Sequence, residues 1–70
     1  MKEIKLSNGK IVKMRPPKVR DMRAVSDLQN EQEQEIHLIS HLTGLTMEEL
    51  DDLEWSEYKK LQEALKDFLS

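Results

Sequence analysis

The sequence has no cysteine, so disulfide bonds and thiolate metal ligands are both excluded. Its two glycines stand far apart, and neither begins a glycine-rich loop of the kind that cradles phosphates. The N-terminus, Met-Lys-Glu-Ile-Lys, lacks an apolar signal segment, and no apolar run approaches the roughly 20 residues needed to span a bilayer. These absences predict a cytoplasmic protein that has no cofactor and does not enter the membrane.

The chain is also short. Seventy residues predict a single domain, residues 1–70, with a thin core, because a chain of this size buries only roughly 60% of its unfolded surface. A thin core leaves little room for a buried pocket, and the sequence contains no nucleophile–base arrangement, so we expect no enzymatic activity. Small domains without covalent staples often gain stability from self-association, so a homo-oligomer is expected.

Charge is distributed unevenly along the chain. Residues 1–23 contain eight basic and two acidic side chains, whereas residues 24–70 contain three basic and twelve acidic ones. Such asymmetry is typical of proteins that bind nucleic acid, an acidic partner or a second copy head to tail, but it also fits two solvated surfaces of one fold. The candidate basic patch consists of Lys10, Lys13, Arg15, Lys18, Arg20 and Arg23.

Residues 1–15 are predicted to form a β-hairpin. Apolar and charged residues alternate before Asn8-Gly9, a pair that favours a two-residue type I′ turn. In that register Leu6 faces Ile11 across the hairpin, and Lys5 faces Val12. One face is then expected to carry Ile4, Leu6 and Ile11, and the other Val12 and Met14.

Residues 18–70 are predicted to form a helical body, so the expected fold is α+β and mostly helical, with three or four short helices after the hairpin. Pro16 and Pro17 end the hairpin as a rigid elbow because neither has an amide hydrogen to donate. A first helix of about ten residues should begin at Lys18 or Val19. Its inward-facing side chains are expected at Val19, Met22, Val25 and Leu28.

The stretch from Glu35 to Leu53 predicts two helices joined at a sharp corner. Apolar residues recur at helical spacing up to Leu42, and Gly44 can adopt the left-handed conformation that ends a helix. Thr46 and Glu49 form a capping-box pattern, so a short helix from Met47 to about Leu53 should follow at once. Ser56 is expected to cap the last helix, over about 57–68.

Two groups of residues have side chains that can bind metal ions. His37 and His41 are four apart on one predicted helical face, a spacing that can bind zinc, but the His-Glu-x-x-His motif is absent. The acidic residues between positions 48 and 57 lack the Asp-x-Asp-x-Asp-Gly loop of a calcium site. Both groups are interpreted as solvated helix surface, and no metal is expected.

The candidate partner contacts are apolar. Trp55 and Tyr58 are two of only three aromatic residues in the chain, and aromatic side chains dominate the energetics of interfaces. In a chain with so few aromatics, such residues more often belong to the core. Exposed apolar residues of the hairpin are further candidates. These hairpin residues are Ile4, Leu6, Val12 and Met14.

The order of these features resembles the small phage tail assembly chaperones of Mu-like and related tails. The resemblance begins at the hairpin turn Leu6-Ser7-Asn8-Gly9-Lys10 and continues through the elbow Arg15-Pro16-Pro17-Lys18 and the helix start Val-Arg-Asp-Met-Arg. Its most distinctive part is Glu35-Ile36 to Leu45-Thr46-Met47-Glu48-Glu49-Leu50. The segment from Leu53 through Tyr58 to Leu61 is also similar.

The resemblance implies a non-enzymatic role in the cytoplasm of the infected host, for a phage or a prophage. Such chaperones hold the tape-measure protein soluble while the tail tube polymerises around it, so the implied partner is a long helical protein. The basic N-terminal third keeps a second hypothesis open, a small DNA-binding regulator or antitoxin. Nucleic acid is the less favoured partner because no aromatic residue lies among the basic ones.

Overall fold

The computed structural model describes residues 1–70 as an N-terminal hairpin followed by four helices, which confirms the predicted α+β, mostly helical fold. None of the helices is both long enough and apolar enough to cross a bilayer. The elements, in chain order, are β1 (Lys2–Lys5), β2 (Ile11–Met14), α1 (Val19–Ala24), α2 (Glu31–Thr43), α3 (Met47–Asp51) and α4 (Trp55–Leu69).

The register of the hairpin differs from the predicted one by one residue. Lys5 pairs with Ile11, and the Leu6 amide donates to the Lys10 carbonyl at 2.8 Å, so the loop that this bond closes has three residues, Ser7, Asn8 and Gly9. A type I′ turn needs positive φ at two positions, but only Gly9 has it, at 87°. Asn8 keeps a negative φ and stabilises the turn through its side chain, whose Oδ1 accepts a hydrogen bond from the Lys10 amide at 2.9 Å.

Relative to β1, this shift moves every residue of β2 to the other face of the hairpin, so the prediction that Val12 and Met14 lie opposite Ile4 and Leu6 is wrong. Successive strand residues point to opposite sides, so a slip of one residue exchanges the buried and exposed sets. Ile11 lies on the solvent side with 54% of its surface exposed, and the prediction that it shares a face with Leu6 is wrong. The side that packs on the helices carries Ile4, Leu6, Val12 and Met14.

Helix α1 is shorter than predicted and is rotated about its axis. It has six residues, and Val19 and Met22 are 75% and 42% exposed, so the prediction that they face inward is wrong. The buried positions are Asp21 and, in the turn after the helix, Val25. A prediction from the spacing of apolar residues misses the burial of Asp21, because it places every charged residue on the solvent side of the helix.

An ion pair explains why Asp21 is buried. Its two carboxylate oxygens each accept a hydrogen bond of 2.8 Å from the Arg15 guanidinium, and the Lys18 amide donates to Oδ2 at 2.8 Å. The Arg15 amide also donates to the Leu42 carbonyl at 3.1 Å. Arg15 therefore connects the end of β2, the start of α1 and the last turn of α2.

The corner between α2 and α3 forms as predicted. Gly44 has φ of 78° and ends α2, and the Ser40 hydroxyl donates to the Leu45 carbonyl just beyond it. Thr46 and Glu49 then complete the capping box, with bonds of 2.9 and 3.1 Å between each side chain and the other's backbone amide. All of these bonds join residues close in sequence, so the pattern alone determines the corner.

The last helix starts earlier than predicted. Glu54 is the residue before the helix and Trp55 its first residue, so Ser56 lies inside α4 and is not its cap. Helix α4 packs against both α2 and β1, and Glu57 accepts a hydrogen bond of 2.9 Å from the Ser7 amide in the hairpin loop. The hairpin and the helices thus share one apolar cluster, with Met14, Ile39 and Leu61 fully buried.

We expect Gly44→Ala to destabilise the fold by about 1 kcal/mol, because a Cβ disfavours the left-handed conformation. An added Cβ at Gly44 would meet no atom within 4 Å, so the cost is conformational and not steric. Gly44→Asn should lose less, since Asn tolerates this conformation. Urea unfolding measures both; equal losses in the two variants would contradict this explanation.

We expect Asp21→Asn to lower the free energy of unfolding at neutral pH by about 1–2 kcal/mol. In a domain of this size each kcal/mol lowers Tm by roughly 4–8 °C. Asp27→Asn is the control, because Asp27 is exposed and has no ion pair. Hydrogen bonds from Arg15, then from the Lys18 amide, hold the pKa of Asp21 well below its ordinary value.

The stabilisation that Asp21 supplies is therefore complete above the unfolded pKa of about 4 and declines as the pH falls below it. In acid the unfolded chain takes up a proton that the folded chain excludes. Unfolding curves of the wild type and Asp21→Asn should converge as the pH is lowered, while a difference that does not change with pH would contradict the ion pair.

Candidate functional site

A surface groove lies between α2, α3 and the first half of α4. Its volume is about 310 Å³, which is small for a ligand pocket and suits a side chain or a short segment of a partner. We call it the α2–α3–α4 groove. It is lined by Gln32, Glu33, Glu35, Ile36, Leu50, Asp51, Leu53, Trp55, Tyr58 and Gln62.

A hydrogen-bond network joins α2 to α4 within this groove. The Tyr58 hydroxyl donates to Glu35 Oε1 at 2.9 Å, and Gln62 Nε2 donates to the same oxygen at 2.8 Å. Burial, followed by the hydrogen bond to Glu35, raises the pKa of the Tyr58 phenol above its ordinary value, so this group stays neutral near pH 7. The network keeps a carboxylate fixed between two helices.

Trp55 forms one edge of the groove. It is 65% exposed, and its ring stacks on that of Tyr58 with 5.8 Å between centroids and 27° between planes. Tyr58 is 9% exposed and belongs to the core, so it supports Trp55 from beneath. An exposed tryptophan held on a rigid base is the type of residue that anchors protein contacts.

The groove is acidic. Glu33, Glu35 and Asp51 line it, and no lysine or arginine does. At its edge, His37 Nε2 lies 3.6 Å from the carboxylate of Glu33. No three histidine, aspartate or glutamate side chains converge as metal ligands, and His37 and His41 are not brought together with a third.

Most of the hairpin residues considered as partner contacts are buried. Leu6, Val12 and Met14 are 4%, 3% and 0% exposed, so the expectation that they present an exposed apolar surface is wrong. Ile4 is half-buried against the same core. Of the candidate contacts, Trp55 alone offers a large exposed surface.

The six candidate basic residues lie on different elements and differ in their contacts. Arg15 is held by Asp21, and the Lys10 ammonium lies 3.7 Å from Glu49. Lys13 is on the solvent side of the hairpin. The remaining three are exposed on or beside α1 and make no ion pair: Lys18, Arg20 and Arg23.

Sequence reasoning missed Glu35 and Gln62 as groove residues. They are 27 positions apart, and Glu35 and Tyr58 are 23 apart, so no local pattern relates them. The available signal was the spacing of Trp55, Tyr58 and Gln62, at intervals of three and four along one side of a helix.

A model of the phage tail assembly chaperone proteins "E, or 41 or 14" matches residues 8–70, nearly the whole chain. The chain belongs to this phage tail assembly chaperone family. No curated protein sequence and no solved structure matches it significantly. Membership supports a role in tail assembly and an interaction with phage tail proteins, and it favours a non-enzymatic function.

The network can be tested by titrating Tyr58, the only tyrosine of this chaperone. We expect phenolate absorbance to appear only well above the ordinary pKa of about 10. Glu35→Gln should lower the midpoint but not restore the ordinary value, because burial is the larger cause of the shift. Glu63→Gln, an exposed change on the same helix, should have no effect. A wild-type midpoint near 10 would show that the hydroxyl is solvated.

Proposed function

We propose that this chaperone binds the tape-measure protein through the α2–α3–α4 groove and keeps it soluble while the tail tube assembles. The proposal places it in the cytoplasm of the host bacterium. Family membership supports the tail assembly role. The observation that supports the partner and the surface is Trp55, a large apolar side chain left exposed beside a groove.

The groove suits one short part of an amphipathic helix. A helical partner would insert an apolar side chain against Ile36, Leu50 and Leu53, with Trp55 covering it from one edge. Burying a tryptophan removes roughly 150–250 Å² of surface from water, which is a substantial share of a small interface. Apolar stripes that would otherwise aggregate are thereby covered.

Several copies are needed for one client. A groove of about 310 Å³ contacts only a few side chains, whereas a long helical protein exposes an apolar stripe along its length. We therefore propose that the chaperone acts as an oligomer or as many copies on one tape-measure protein. The net charge of −3 per copy would add charge to the complex and oppose aggregation.

We expect Trp55→Ala to weaken tape-measure binding by at least about tenfold, as removal of a central aromatic anchor does, without changing the helical circular dichroism. Co-expression with the tape-measure protein, followed by pull-down at high salt, measures binding and client solubility. Ile11→Ala is the control, because Ile11 is 54% exposed on the hairpin, away from the groove.

Full retention of the client by Trp55→Ala would show that the groove is not the binding surface. No complex with the wild type, together with duplex DNA binding that disappears as salt rises, would contradict the chaperone assignment and support a DNA-binding regulator. Apolar docking should survive the salt that abolishes phosphate contacts.

A further inference from the structure

We propose that α1 of one copy binds in the α2–α3–α4 groove of a second copy. This inference rests on the proposed function only in taking the groove as a docking surface; it gives that groove a second occupant when no client is bound, and it names the two surfaces that meet. It concerns a contact between different surfaces, so it links copies head to tail.

The first surface is the outward side of α1. Val19 is 75% exposed, although it is β-branched and apolar. Arg23 and Arg20 follow Val19 round one side of the helix, at about 40° and 100° from it at roughly 100° per residue, are exposed, and make no ion pair. The opposite side is fixed by Asp21 and Val25, so this outward orientation is built into the fold. The outward side of α1 therefore presents a small apolar side chain with positive charge on one side of it and Met22, which is 42% exposed, on the other.

The second surface is the groove, whose properties are complementary. Its apolar lining could receive Val19, and its acidic lining could receive the two arginines. The exposed face of Trp55 is a favourable site for a guanidinium, because the negative face of the indole ring attracts a cation. Glu33 and Asp51 are exposed and could each pair with a basic side chain.

A copy cannot fill its own groove in this way. Arg15 and Asp21 hold α1 beside the end of β2, and Val25 holds its buried side in the core, so Val19 points to solvent. The contact must come from another molecule. Because the two surfaces differ, association continues into chains or closes as a ring.

The contact also has a consequence for the client. A groove occupied by α1 of a neighbour is not open to the tape-measure protein. Client binding and this self-association therefore compete, and the client should release chaperone copies from one another. The area involved is small, so the self-association is weak and dependent on concentration.

Charge reversal on each surface provides the test. One variant is Arg20→Glu with Arg23→Glu, and the other is Glu33→Lys with Asp51→Lys. Sedimentation equilibrium over a range of concentrations measures the average mass against 8.3 kDa for one copy. The wild type should exceed that mass at high concentration, and each variant alone should associate about tenfold less.

An equimolar mixture of the two variants should recover most of the association of the wild type, because each contact between the two different variants again joins opposite charges. Lys5→Glu with Lys13→Glu is the matched control, since it makes the same charge change on the solvent side of the hairpin and should associate as the wild type does. Circular dichroism checks folding, and Asp51→Lys alone replaces the double groove variant if that variant is unfolded.

A wild type that is monomeric at every concentration would overturn the proposal, as would variants that associate normally or a mixture that does not recover. The client assay separates these failures from failure of the proposed function. The Arg20→Glu, Arg23→Glu variant leaves the groove intact, so it should still retain the tape-measure protein in the pull-down, while Trp55→Ala should not.

Discussion

The ion pair between Arg15 and Asp21 determines how the two parts of this protein meet. It joins the end of the hairpin to the start of α1, and the Arg15 amide extends the link to α2. By turning Asp21 inward, it leaves the opposite side of a six-residue helix in solvent. The exposed positions of Val19, Arg20 and Arg23 are therefore a consequence of one charged interaction and not of the apolar pattern of the helix.

A thin core gives the second constraint. The hairpin lies on α2 and α4, and a single apolar cluster serves both layers. Polar contacts complete the join between the helices, with Glu35 accepting from Tyr58 and Gln62. Tyr58 points inward to make its hydrogen bond to Glu35, and the ring of Trp55 stacks on the outer face of the Tyr58 ring. The groove and its aromatic edge thus arise from the same packing that closes the core.

These features suit an assembly factor better than a catalyst. The protein belongs to a family of phage tail assembly chaperones, and its surface combines one exposed tryptophan, an acidic groove and a basic helix. Such surfaces suit small, reversible contacts with other proteins, which is what a chaperone that acts during assembly needs. In three dimensions the uneven charge along the chain places exposed basic residues on α1 and acidic residues along the groove.

The sequence alone determined the features that depend on neighbours within about four residues. The order of elements, the left-handed Gly44, the capping box of Thr46 and Glu49, and the resemblance to the family all follow from local pattern. Tertiary structure decided the rest. Asn8-Gly9 fits more than one loop length, and the register was chosen by burial of Val12 and Met14 together with Leu6. Likewise, only packing could bring Glu35 to Tyr58, which is 23 residues away, or turn the charged Asp21 inward. Burying each carboxylate costs desolvation free energy, and that cost is offset only by hydrogen-bond partners that the local pattern does not reveal. The partner of Glu35 lies on another helix, and that of Asp21 lies on the far side of the two prolines.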